Sequence, residues 1–259
     1  MQALSSLKIV EWAEGVPGPY CGKLLADLGA EVTKVEMPGC GDRARSRGPF
    51  PHDIPHPERS GTFLYLNTNK LGVTLDVRSR TGAEVFKRLI EGADILIENH
   101  PPSDVAQLGF SYNNLKKVNP ALVMTSITAF GQTGPYRDYS TCNLVSFHAS
   151  GMAYINPSDG VDDIEQEPPL MGPANQGDLV AGLTGALTTM SAVFARRMTG
   201  LGQHVDLSQQ EALVSMTRHQ LGNYTVEQFP WLRAKEARRP GVSEVYRCSD
   251  GLVYLICND

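Results

Sequence analysis

The chain has 259 residues, 41% of them hydrophobic and 20% charged, which is the composition of an ordinary globular protein. The net charge of −5 and the lack of a Lys/Arg-rich run argue against a nucleic-acid partner. The five dispersed cysteines form no CxxC pair and the first residues lack signal-peptide features, so we expect reduced thiols in a cytoplasmic protein.

The first half of the chain alternates predicted strands and helices. The apolar patterns predict strands at residues 7–12, 31–36, 73–77, 94–98 and 122–128, and helices at residues 20–28, 80–92, 104–108 and 112–118. Residues 37–60 are rich in Pro and Gly and are predicted to be irregular. This alternation predicts an α/β fold, with a parallel sheet covered by helices.

The second half of the chain changes in character. The predicted elements are a surface loop at 156–172, a long helix at 178–198, a strand at 203–207, a helix at 209–220, and a hairpin of 245–248 and 252–257. Hydroxyl side chains and two glycines interrupt the apolar stretch of the long helix, which therefore predicts a buried helix and no membrane span. Because an isolated hairpin is only marginally stable, we expect the chain to be a fragment or one piece of a split protein.

The loop after the first strand invites comparison with dinucleotide sites, where backbone amides at a helix N-terminus approach a pyrophosphate. Its glycines, Gly15, Gly18 and Gly22, lack the GxGxxG spacing, and the two prolines among them provide no amide donor. An NAD(P) site is therefore disfavoured. A turn that packs the helix on the sheet, or a loop that holds another nucleotide-containing ligand, remains open.

Metal and hydrolase signatures are missing from the sequence. The six histidines show neither an HExxH pattern nor metal-ligand spacing with cysteines, and no GxSxG segment occurs. We therefore predict no metal site.

Asp178 stands at the start of the predicted long helix, between Gly177 and Gly182. The simpler interpretation is a helix N-cap, because Asp is among the preferred capping residues. The functional interpretation is a nucleophile or general base, kept ionised by the helix amides, with glycines that leave room for a bulky substrate. Position alone favours the cap.

A series of short segments occurs in a defined order along nearly the whole chain. They are VPGP at 16–19, LADLGAEV at 25–32, KVEMP at 34–38, GD at 41–42, NTNK at 67–70, VTLD at 73–76, EN at 98–99, LGF at 108–110, NP at 119–120, FGQTGPY at 130–136, the Asp178 segment, and TGLGQHVD at 199–206. Each segment is weak alone, but together they resemble the family III CoA-transferases of the CaiB/BaiF type.

The resemblance implies a doubly wound, Rossmann-like large domain, a smaller second domain and an interlocked homodimer. We expect a large CoA-binding and catalytic domain at residues 1–225, and a linker with the start of the small domain at residues 226–259. In this family the C-terminal segment returns to the large domain. We therefore expect a homodimer, or a hetero-oligomer with a chain that supplies the missing part.

The resemblance also implies the chemistry. Asp178 would attack an acyl-CoA thioester to give a mixed anhydride, CoA thiolate would convert this to an aspartyl-CoA thioester, and a free carboxylic acid would collect the CoA. Coenzyme A is then part of the substrate, and no permanently bound cofactor is expected. The implied CoA contacts are Val16, Pro17, Asn67, Thr68, Asn69, Lys70, Asn99 and His100. Lys70 would bind a phosphate; a solvated loop lysine is the alternative.

Several positions depart from the family's pattern. Val16 replaces a Gln of formyl-CoA transferases, and Met37 and Gln107 stand where CoA-contacting arginines occur. Cys142 stands where the related racemases place their His base, and Asn143 occupies a position that is often Asp or Glu in transferases. Because the His and Asp pair is missing, CoA transfer is favoured over a racemase or isomerase. A partner-requiring subunit with little activity alone is a further alternative.

The acyl group is not identified by the sequence. Residues 147–155 and 168–173 are candidates for the wall of an acyl pocket.

Overall fold

The computed structural model describes residues 2–139, 141–156, 161–228, 233 and 244–255. The strands are β1 (Lys8–Trp12), β2 (Glu31–Glu36), β3 (Lys70–Thr74), β4 (Ile95–Glu98), β5 (Val123–Thr128), β6 (His204–Ser208), β7 (Glu244–Arg247) and β8 (Leu252–Leu255). The helices are α1 (Pro17–Asp27), α2 (Gly61–Leu66), α3 (Arg80–Glu91), α4 (Pro102–Gln107), α5 (Tyr112–Val118), α6 (Asn143–Ala149), α7 (Gln176–Thr199), α8 (Gln209–Val214) and α9 (Arg218–Glu227).

The main sheet has six strands in the order β3-β2-β1-β4-β5-β6, and every neighbouring pair is parallel. The chain runs outward from β1 to one edge, returns to β4, and then runs to the other edge. This is the doubly wound order, in which ligands bind at the carboxyl ends of the strands where the winding reverses, here between β1 and β4. The predicted Rossmann-like α/β fold is confirmed.

The core has two layers, one on each face of the sheet. Alternate side chains of each strand enter opposite layers, as the two-residue period of a strand requires; Ile9 and Val10 are one such pair, and Ile95 and Leu96 another. Helices α1 and α7 cover the first face, whereas α3, α4 and α5 cover the second. Because both faces are covered, the central strands β1, β4 and β5 are buried along nearly their whole length, with polar residues such as Glu11, Glu98 and Thr125 among the buried positions.

Helix α7 has the length and hydropathy of a membrane-spanning helix, and no other helix among the described residues does. One side of α7 packs against α1 and β5 in the core. A second side exposes a stripe of apolar side chains: Leu183, Leu187, Phe194 and Met198. The packed side agrees with the predicted buried helix.

The crossing of α1 and α7 depends on Gly182. A Cβ at this position would lie 2.6 Å from the carbonyl oxygen of Pro17, and Gly185 makes a similarly close approach to Ile127. Gly182 lets the backbones of α1 and α7 approach closely, and Gly185 lets α7 lie close against Ile127 of β5. The approach sets Asp178, one turn earlier on α7, beside the start of α1.

We expect Gly182→Ala to lower the free energy of unfolding by about 1–3 kcal/mol, the usual cost of overpacking a filled interior. Urea denaturation measures this. Gly222→Ala in α9 is the matched control, because its added Cβ would have no atom of the described residues within 4 Å, the adjoining backbone of its own helix aside. A helical Gly→Ala change in open space should be neutral or stabilising. Equal destabilisation by both variants would contradict the close-packing explanation.

The sequence misplaced β3, which was predicted at residues 73–77 and lies at Lys70–Thr74, in register with β2 from Val32↔Lys70 to Glu36↔Thr74. This edge strand is mostly exposed and has no apolar run to mark it. The apolar residues that suggested a later strand, Leu75 and Val77, enter the core from the following turn.

Several helix boundaries also differ from the prediction. Helix α1 begins at Pro17, three residues early, because proline is well suited to the first helical position. Helices α2 and α6 were not predicted. The helix predicted at residues 209–220 is divided into α8 and α9 by a 3₁₀ turn at Ser215–Thr217. The region predicted as irregular contains 3₁₀ turns at Arg43–Ser46 and Pro51–Asp53.

The predicted hairpin is present as the antiparallel pair β7–β8, with Cys248 N donating to Gly251 O at 3.0 Å. Its last two predicted residues, 256 and 257, lie outside the described residues. The boundary near residue 225 stays a prediction. Of the predicted surface loop, residues 156 and 161–172 are described and contain no helix or extended strand.

Candidate active site

The side chain of Asn99 bridges the crevice between the carboxyl ends of β1 and β4. Asn99 follows β4, its Oδ1 accepts from Glu14 N at 2.9 Å, and its Nδ2 donates to Glu14 O at 2.7 Å. This two-way pairing fixes the loop after β1 to the loop after β4. Two cavities flank this bridge.

Cavity A has a volume of about 280 Å³ and lies on the β5 side of the bridge. It is lined by Gly15, Val16, Pro17, Arg43, Arg47, Asn99, His100, Pro101, Pro102, Ile127, Thr128, Ala129, Arg137, Tyr139, Thr141, Cys142, Asn143, Asp178 and Gln209. Five of the nine residues proposed from the sequence therefore meet here, with Asp178 among them.

Asp178 lies in the first turn of α7 and is buried, with 7% of its surface exposed. The helix begins after Asn175, which is its N-cap residue, so the interpretation of Asp178 as the cap is wrong. The glycines do not make room for substrate as expected. A Cβ on Gly177 would lie 2.7 Å from Asn143 Oδ1, and Gly182 faces α1. Both glycines instead allow α7 to pack closely against other elements of the same chain.

Two amide side chains hold Asp178. Gln209, at the carboxyl end of β6, donates from Nε2 to Asp178 Oδ1 at 2.6 Å, and Asn143 Oδ1 accepts from Asp178 N at 3.0 Å. Oδ2 accepts no hydrogen bond from the described residues. Burial raises the pKa of Asp178, while the bond from Gln209 and the charges of Arg47 and Arg43 oppose that rise. The carboxylate is thus partly desolvated, with one oxygen held.

We expect Gln209→Leu to raise the pKa of Asp178 further, because the change removes the hydrogen bond that favours the ionised form. If ionised Asp178 is the nucleophile, the acidic limb of the kcat/KM profile must then move to higher pH. The neighbouring Gln210→Leu is the control, because Gln210 Nε2 bonds Ala149 O instead. An unmoved limb in Gln209→Leu would show that this bond does not tune the reacting group.

A buried ion network supports the wall of cavity A. Lys34 Nζ lies 3.0 Å from Glu11 Oε1 and 2.8 Å from Asp42 Oδ2, and Lys70 Nζ lies 2.7 Å from Glu11 Oε2. Asp42 Oδ1 in turn accepts from Gly15 N at 2.8 Å and from the backbone of the following turn. Two carboxylates and two ammonium groups make the network neutral.

The structure separates the predicted 67–70 segment from cavity A. Lys70 Nζ is occupied by Glu11, by Pro19 O at 2.7 Å and by Asn67 Oδ1 at 3.0 Å, so it is not a solvated loop lysine. Burial lowers its pKa to about 8. This environment leaves no free ammonium for a phosphate.

Neighbouring side chains of that segment bind α1. Asn69 Nδ2 donates to Asp27 Oδ1 at 2.8 Å, and Lys23 Nζ donates to Thr68 Oγ1 at 2.7 Å. A CoA contact by these residues stays a prediction.

Cavity B, of about 700 Å³, lies on the β2 side of the bridge. It is lined by Trp12, Glu14, Val35, Glu36, Met37, Cys40, Leu75, Val77, Arg78, His100, Asp104, Gln107 and Leu108. Glu36, at the end of β2, is occupied by Arg45 at 2.8 and 2.9 Å and by Asp42 N at 2.8 Å. It is therefore not a free ribose ligand, which further weakens the NAD(P) alternative.

His100 lines both cavities and packs against Trp12, with the ring centroids 4.0 Å apart and the ring planes tilted by 33°. Burial lowers its pKa to about 4, so the imidazole is neutral near pH 7. Just before it, fully buried Glu98 accepts from His100 N at 2.8 Å, and burial raises the pKa of Glu98 to about 7. Because the imidazole of His100 is neutral and lies between the two cavities, it can contact a ligand that spans both cavities without adding a positive charge to the site.

The arginines of cavity A and Gln209 were missed by the sequence reasoning. Arg43 follows the GD segment directly and Arg47 follows the 3₁₀ turn that begins there, and Gln209 follows a parallel strand at its carboxyl end, where ligands of such sheets bind. Their positions after these segments were the sequence features by which they could have been identified as site residues. Among the described residues, no group of three or more His, Cys, Asp or Glu side chains could hold a metal.

The proposed acyl-pocket segments lie near the carboxylate. Asn143, which holds Asp178, donates from Nδ2 to Met171 Sδ at 3.0 Å. Phe147 and Ala153 form a small buried cluster with Leu213, and Val180 of α7 packs against it. Met171 is 39% exposed. Both segments therefore reach the surroundings of Asp178, and their contact with an acyl group stays a prediction.

Several CoA-transferases are similar to this chain. It is 34% identical over 255 residues to the succinyl-CoA:(R)-benzylsuccinate CoA-transferase subunit BbsE of Thauera aromatica, covering 98% of the chain and 60% of that protein. It is 32% identical over 262 residues to the succinate–glutarate CoA-transferase of Agrobacterium fabrum, covering 99% of the chain and 64% of that protein. The chain thus spans about three fifths of the length of these relatives.

A solved structure of a CAIB/BAIF family protein from Brucella suis has the same fold. The TM-score is 0.83 at 29% sequence identity, and the match covers 99% of this chain and 66% of the other. The sequence model of CoA-transferase family III matches residues 4–259, nearly the whole chain. The order of motifs, the doubly wound sheet and these matches agree, and the chain belongs to CoA-transferase family III.

Proposed function

We propose that this chain carries the catalytic centre of an enzyme that moves coenzyme A from an acyl-CoA thioester to a free carboxylic acid. The observation that carries the proposal is the partly desolvated carboxylate of Asp178 in cavity A, with Oδ1 held by Gln209 and Oδ2 unbonded by the described residues. A desolvated carboxylate is a stronger nucleophile than a hydrated one.

The reaction begins when Asp178 Oδ2 attacks the thioester carbonyl and the C–S bond breaks. This gives an acyl-aspartyl anhydride and CoA thiolate. The thiolate attacks the aspartyl carbonyl, releases the donor acid as its carboxylate and leaves an aspartyl-CoA thioester. The acceptor carboxylate attacks that thioester, and the released thiolate then attacks the acceptor's acyl carbonyl. New acyl-CoA forms, and the Asp178 carboxylate is regenerated.

Several polar residues of cavity A have a role in this scheme. Gln209 holds one oxygen of Asp178 and so orients the other. Arg43 and Arg47 line the cavity and supply positive charge for the oxyanions of the tetrahedral intermediates. The bridge of Asn99 and Glu14 places His100 between the cavities, so CoA would extend from cavity B past His100 to Asp178.

The nucleotide end of CoA fits cavity B by size and position, because cavity B lies at the switch point of the sheet. Arg78 supplies a positive charge to the lining of cavity B. It compensates for Met37 and Gln107, which stand where relatives can carry CoA-contacting arginines. The substrates are an acyl-CoA and a carboxylic acid, with no further cofactor. We place the enzyme in the cytoplasm, acting as a homodimer or together with a second chain.

Racemase chemistry is less well supported by cavity A. Two groups that exchange a proton at Cα would have to flank the substrate. Asn143 is instead committed to the amide of Asp178 and to Met171, and Cys142 is an exposed free thiol. We therefore retain CoA transfer as the proposed function.

The test is transfer itself. The protein, with any partner chain present in its host, is mixed with butyryl-CoA and radiolabelled carboxylic acids, and labelled thioester is separated by chromatography. Acid-dependent formation of a labelled thioester is expected. Loss of CoA thioester to free CoA in the absence of acid, with no labelled product, would indicate a hydrolase and contradict the proposal.

A further inference from the structure

Glu98 is a buried carboxyl that the reaction scheme does not use. It is the last residue of β4, lies between Trp12 of β1 and Ser126 of β5 at the centre of the sheet, and has no exposed surface. In the part of the chain that the structure describes, no Lys, Arg or His forms an ion pair with it. A buried carboxylate without a cation is costly, so burial favours the protonated form of Glu98.

The carboxyl of Glu98 holds the segment that separates the two cavities. Its Oε2 accepts from His100 N at 2.8 Å, and His100 lines both cavity A and cavity B. Asn99, the residue between them, forms the bridge to Glu14. A negative charge on Glu98 would therefore act on any ligand that extends from one cavity to the other.

A series of polar side chains leads from Glu98 toward the edge of the sheet. Ser126 is the register partner of Glu98, and its Oγ lies 2.8 Å from His204 Nε2. His204 belongs to edge strand β6, is partly exposed and stacks on Tyr112, a phenol whose pKa burial raises. Because a hydroxyl both donates and accepts, Ser126 can pass a proton between Glu98 and His204. The fully buried carboxyl thus has a route for proton exchange with solvent.

The titratable groups around Glu98 supply no positive charge near neutral pH. Burial lowers the pKa of His100 to about 4 and also lowers that of His204, so both imidazoles are neutral. Asp206 of β6 is an acid and adds to the rise that burial causes in the pKa of Glu98, whereas the bonds from Ser126 and His100 N oppose it. The resulting pKa of about 7 lets Glu98 change its charge in the physiological range.

CoA binding and the proton of Glu98 are expected to favour each other. CoA carries several phosphate charges, and a nearby negative charge disfavours ionisation of a carboxyl. Salt screens this repulsion little, because Glu98 is buried. By linkage, a ligand that raises the affinity of Glu98 for its proton is itself bound more tightly, by the same factor, when that proton is present.

We propose that Glu98 is a positioning residue that holds the His100 segment for CoA in its protonated form, so that CoA binding takes up a proton at this carboxyl. The inference rests on the proposed CoA transfer and adds a proton to its binding step. Glu98 touches no reacting atom. It acts through the hydrogen bond to His100 N and through its own charge.

The experiment counts protons during CoA binding. Calorimetric titration of the protein in its native assembly with CoA, at about pH 7.5 in Hepes and in Tris, gives the proton uptake from the dependence of the heat on the buffer. Wild type should take up about half a proton more than Glu98→Gln, for a coupling of about tenfold. Glutamine has the shape of the protonated acid and does not titrate. Subtracting its value removes the proton changes of CoA and of other protein groups.

The affinity should change with pH in the corresponding direction. The protonated form is present below a pH of about 7 and is lost above it. The wild-type Kd for CoA, divided by that of Glu98→Gln, should therefore rise about tenfold from about pH 6 to about pH 9. Ser126→Ala removes a hydrogen bond that favours ionised Glu98, so it should move this rise to higher pH. Glu84→Gln removes an exposed carboxyl of α3 and should behave as wild type.

Two results would overturn the inference. They are equal proton uptake by wild type and Glu98→Gln, and a pH dependence of Kd that is the same in Ser126→Ala as in wild type. The second comparison decides alone where Glu98→Gln does not fold, because Ser126→Ala retains the carboxyl. A folded native assembly that binds CoA at no pH would instead overturn the proposed function. CoA binding without a difference in proton uptake leaves the proposed function intact.

Discussion

Wild-type protein mixed with an acyl-CoA should gain an adduct of acyl or CoA mass, and Asp178→Ala should gain none. The carboxylate of Asp178 is buried, carries one held oxygen and lies in the cavity that meets the switch point. Both proposed intermediates are covalent, an anhydride and a thioester of the same carboxyl group. Intact-protein mass spectrometry detects either one.

Removing the nucleophile should lower turnover by at least about 10³-fold, as loss of a covalent catalytic group does in other enzymes. Hydroxylamine should discharge the wild-type adduct, because anhydrides and thioesters both react with it. Asp178→Asn is the matched variant, since it keeps the side-chain volume and an oxygen that can accept from Gln209. Circular dichroism establishes that each variant is folded.

An adduct that persists in folded Asp178→Asn would place the covalent chemistry elsewhere. Glu14 is the carboxylate to examine in that case, because it lines cavity B and burial raises its pKa. A folded wild type that binds CoA and forms no adduct would favour proton-transfer chemistry or an accessory subunit.

The sheet could be predicted from the sequence because its central strands are rich in Val and Ile and are bounded by turn residues. Strand β5 is buried at every position, and the prediction misses its start by only one residue. Edge strand β3 is exposed after its first residue, so nothing in its local pattern distinguishes it from a loop. Its position is set by pairing with β2, a contact between distant segments.

The candidate site was predictable only in part for the same reason. Asp178 is visible in the sequence because it heads a long apolar helix, and the order of short segments identified the family. Gln209 and Asn143 reach Asp178 from other elements, 31 and 35 residues away along the chain. The local sequence around Asp178 therefore could not show that these two side chains contact it.

Lys70 illustrates a different difficulty. A lysine after an Asn-Thr-Asn segment has the composition of an exposed loop, and the family resemblance suggested a phosphate ligand. The structure shows it beside Glu11 of β1, in a pairing that joins β3 to β1 across the intervening strand. Burial and a distant carboxylate, both tertiary properties, determine what this side chain does.

Lys34→Met is expected to lower the free energy of unfolding by about 3–5 kcal/mol, the cost of breaking a buried ion pair on one side. Lys34 is 2% exposed and pairs with both Glu11 and Asp42. Burial alone would lower its pKa, but the two carboxylates outweigh burial and raise it. Without Lys34, Glu11 would keep the ammonium of Lys70, and the buried carboxylate of Asp42 would have no ion-pair partner among the described residues.

The same variant should weaken CoA binding. Asp42 holds Gly15 N at 2.8 Å and Ala44 N at 2.7 Å, which positions the first loop and the turn that carries Arg43 along cavity A. Without its lysine partner, the Asp42 carboxylate is expected to move toward solvent. The loop at Gly15 and the turn at Ala44 then lose the hydrogen bonds that hold them. Titration of the protein with CoA measures this loss.

Urea denaturation separates charge from packing in this network. Lys8→Met, at an exposed position of β1, is the control and should change stability by no more than about 0.5 kcal/mol. Adding Asp42→Asn to Lys34→Met removes the carboxylate that has lost its ammonium partner and keeps an oxygen that can accept from Gly15 N, so the double variant should be more stable than the sum of the single effects predicts. Strictly additive effects would show that Lys34 stabilises the fold by packing and that its charge is dispensable. A sub-additive loss would show that the four charges act as one unit, and that the wall of the catalytic cavity depends on their balance.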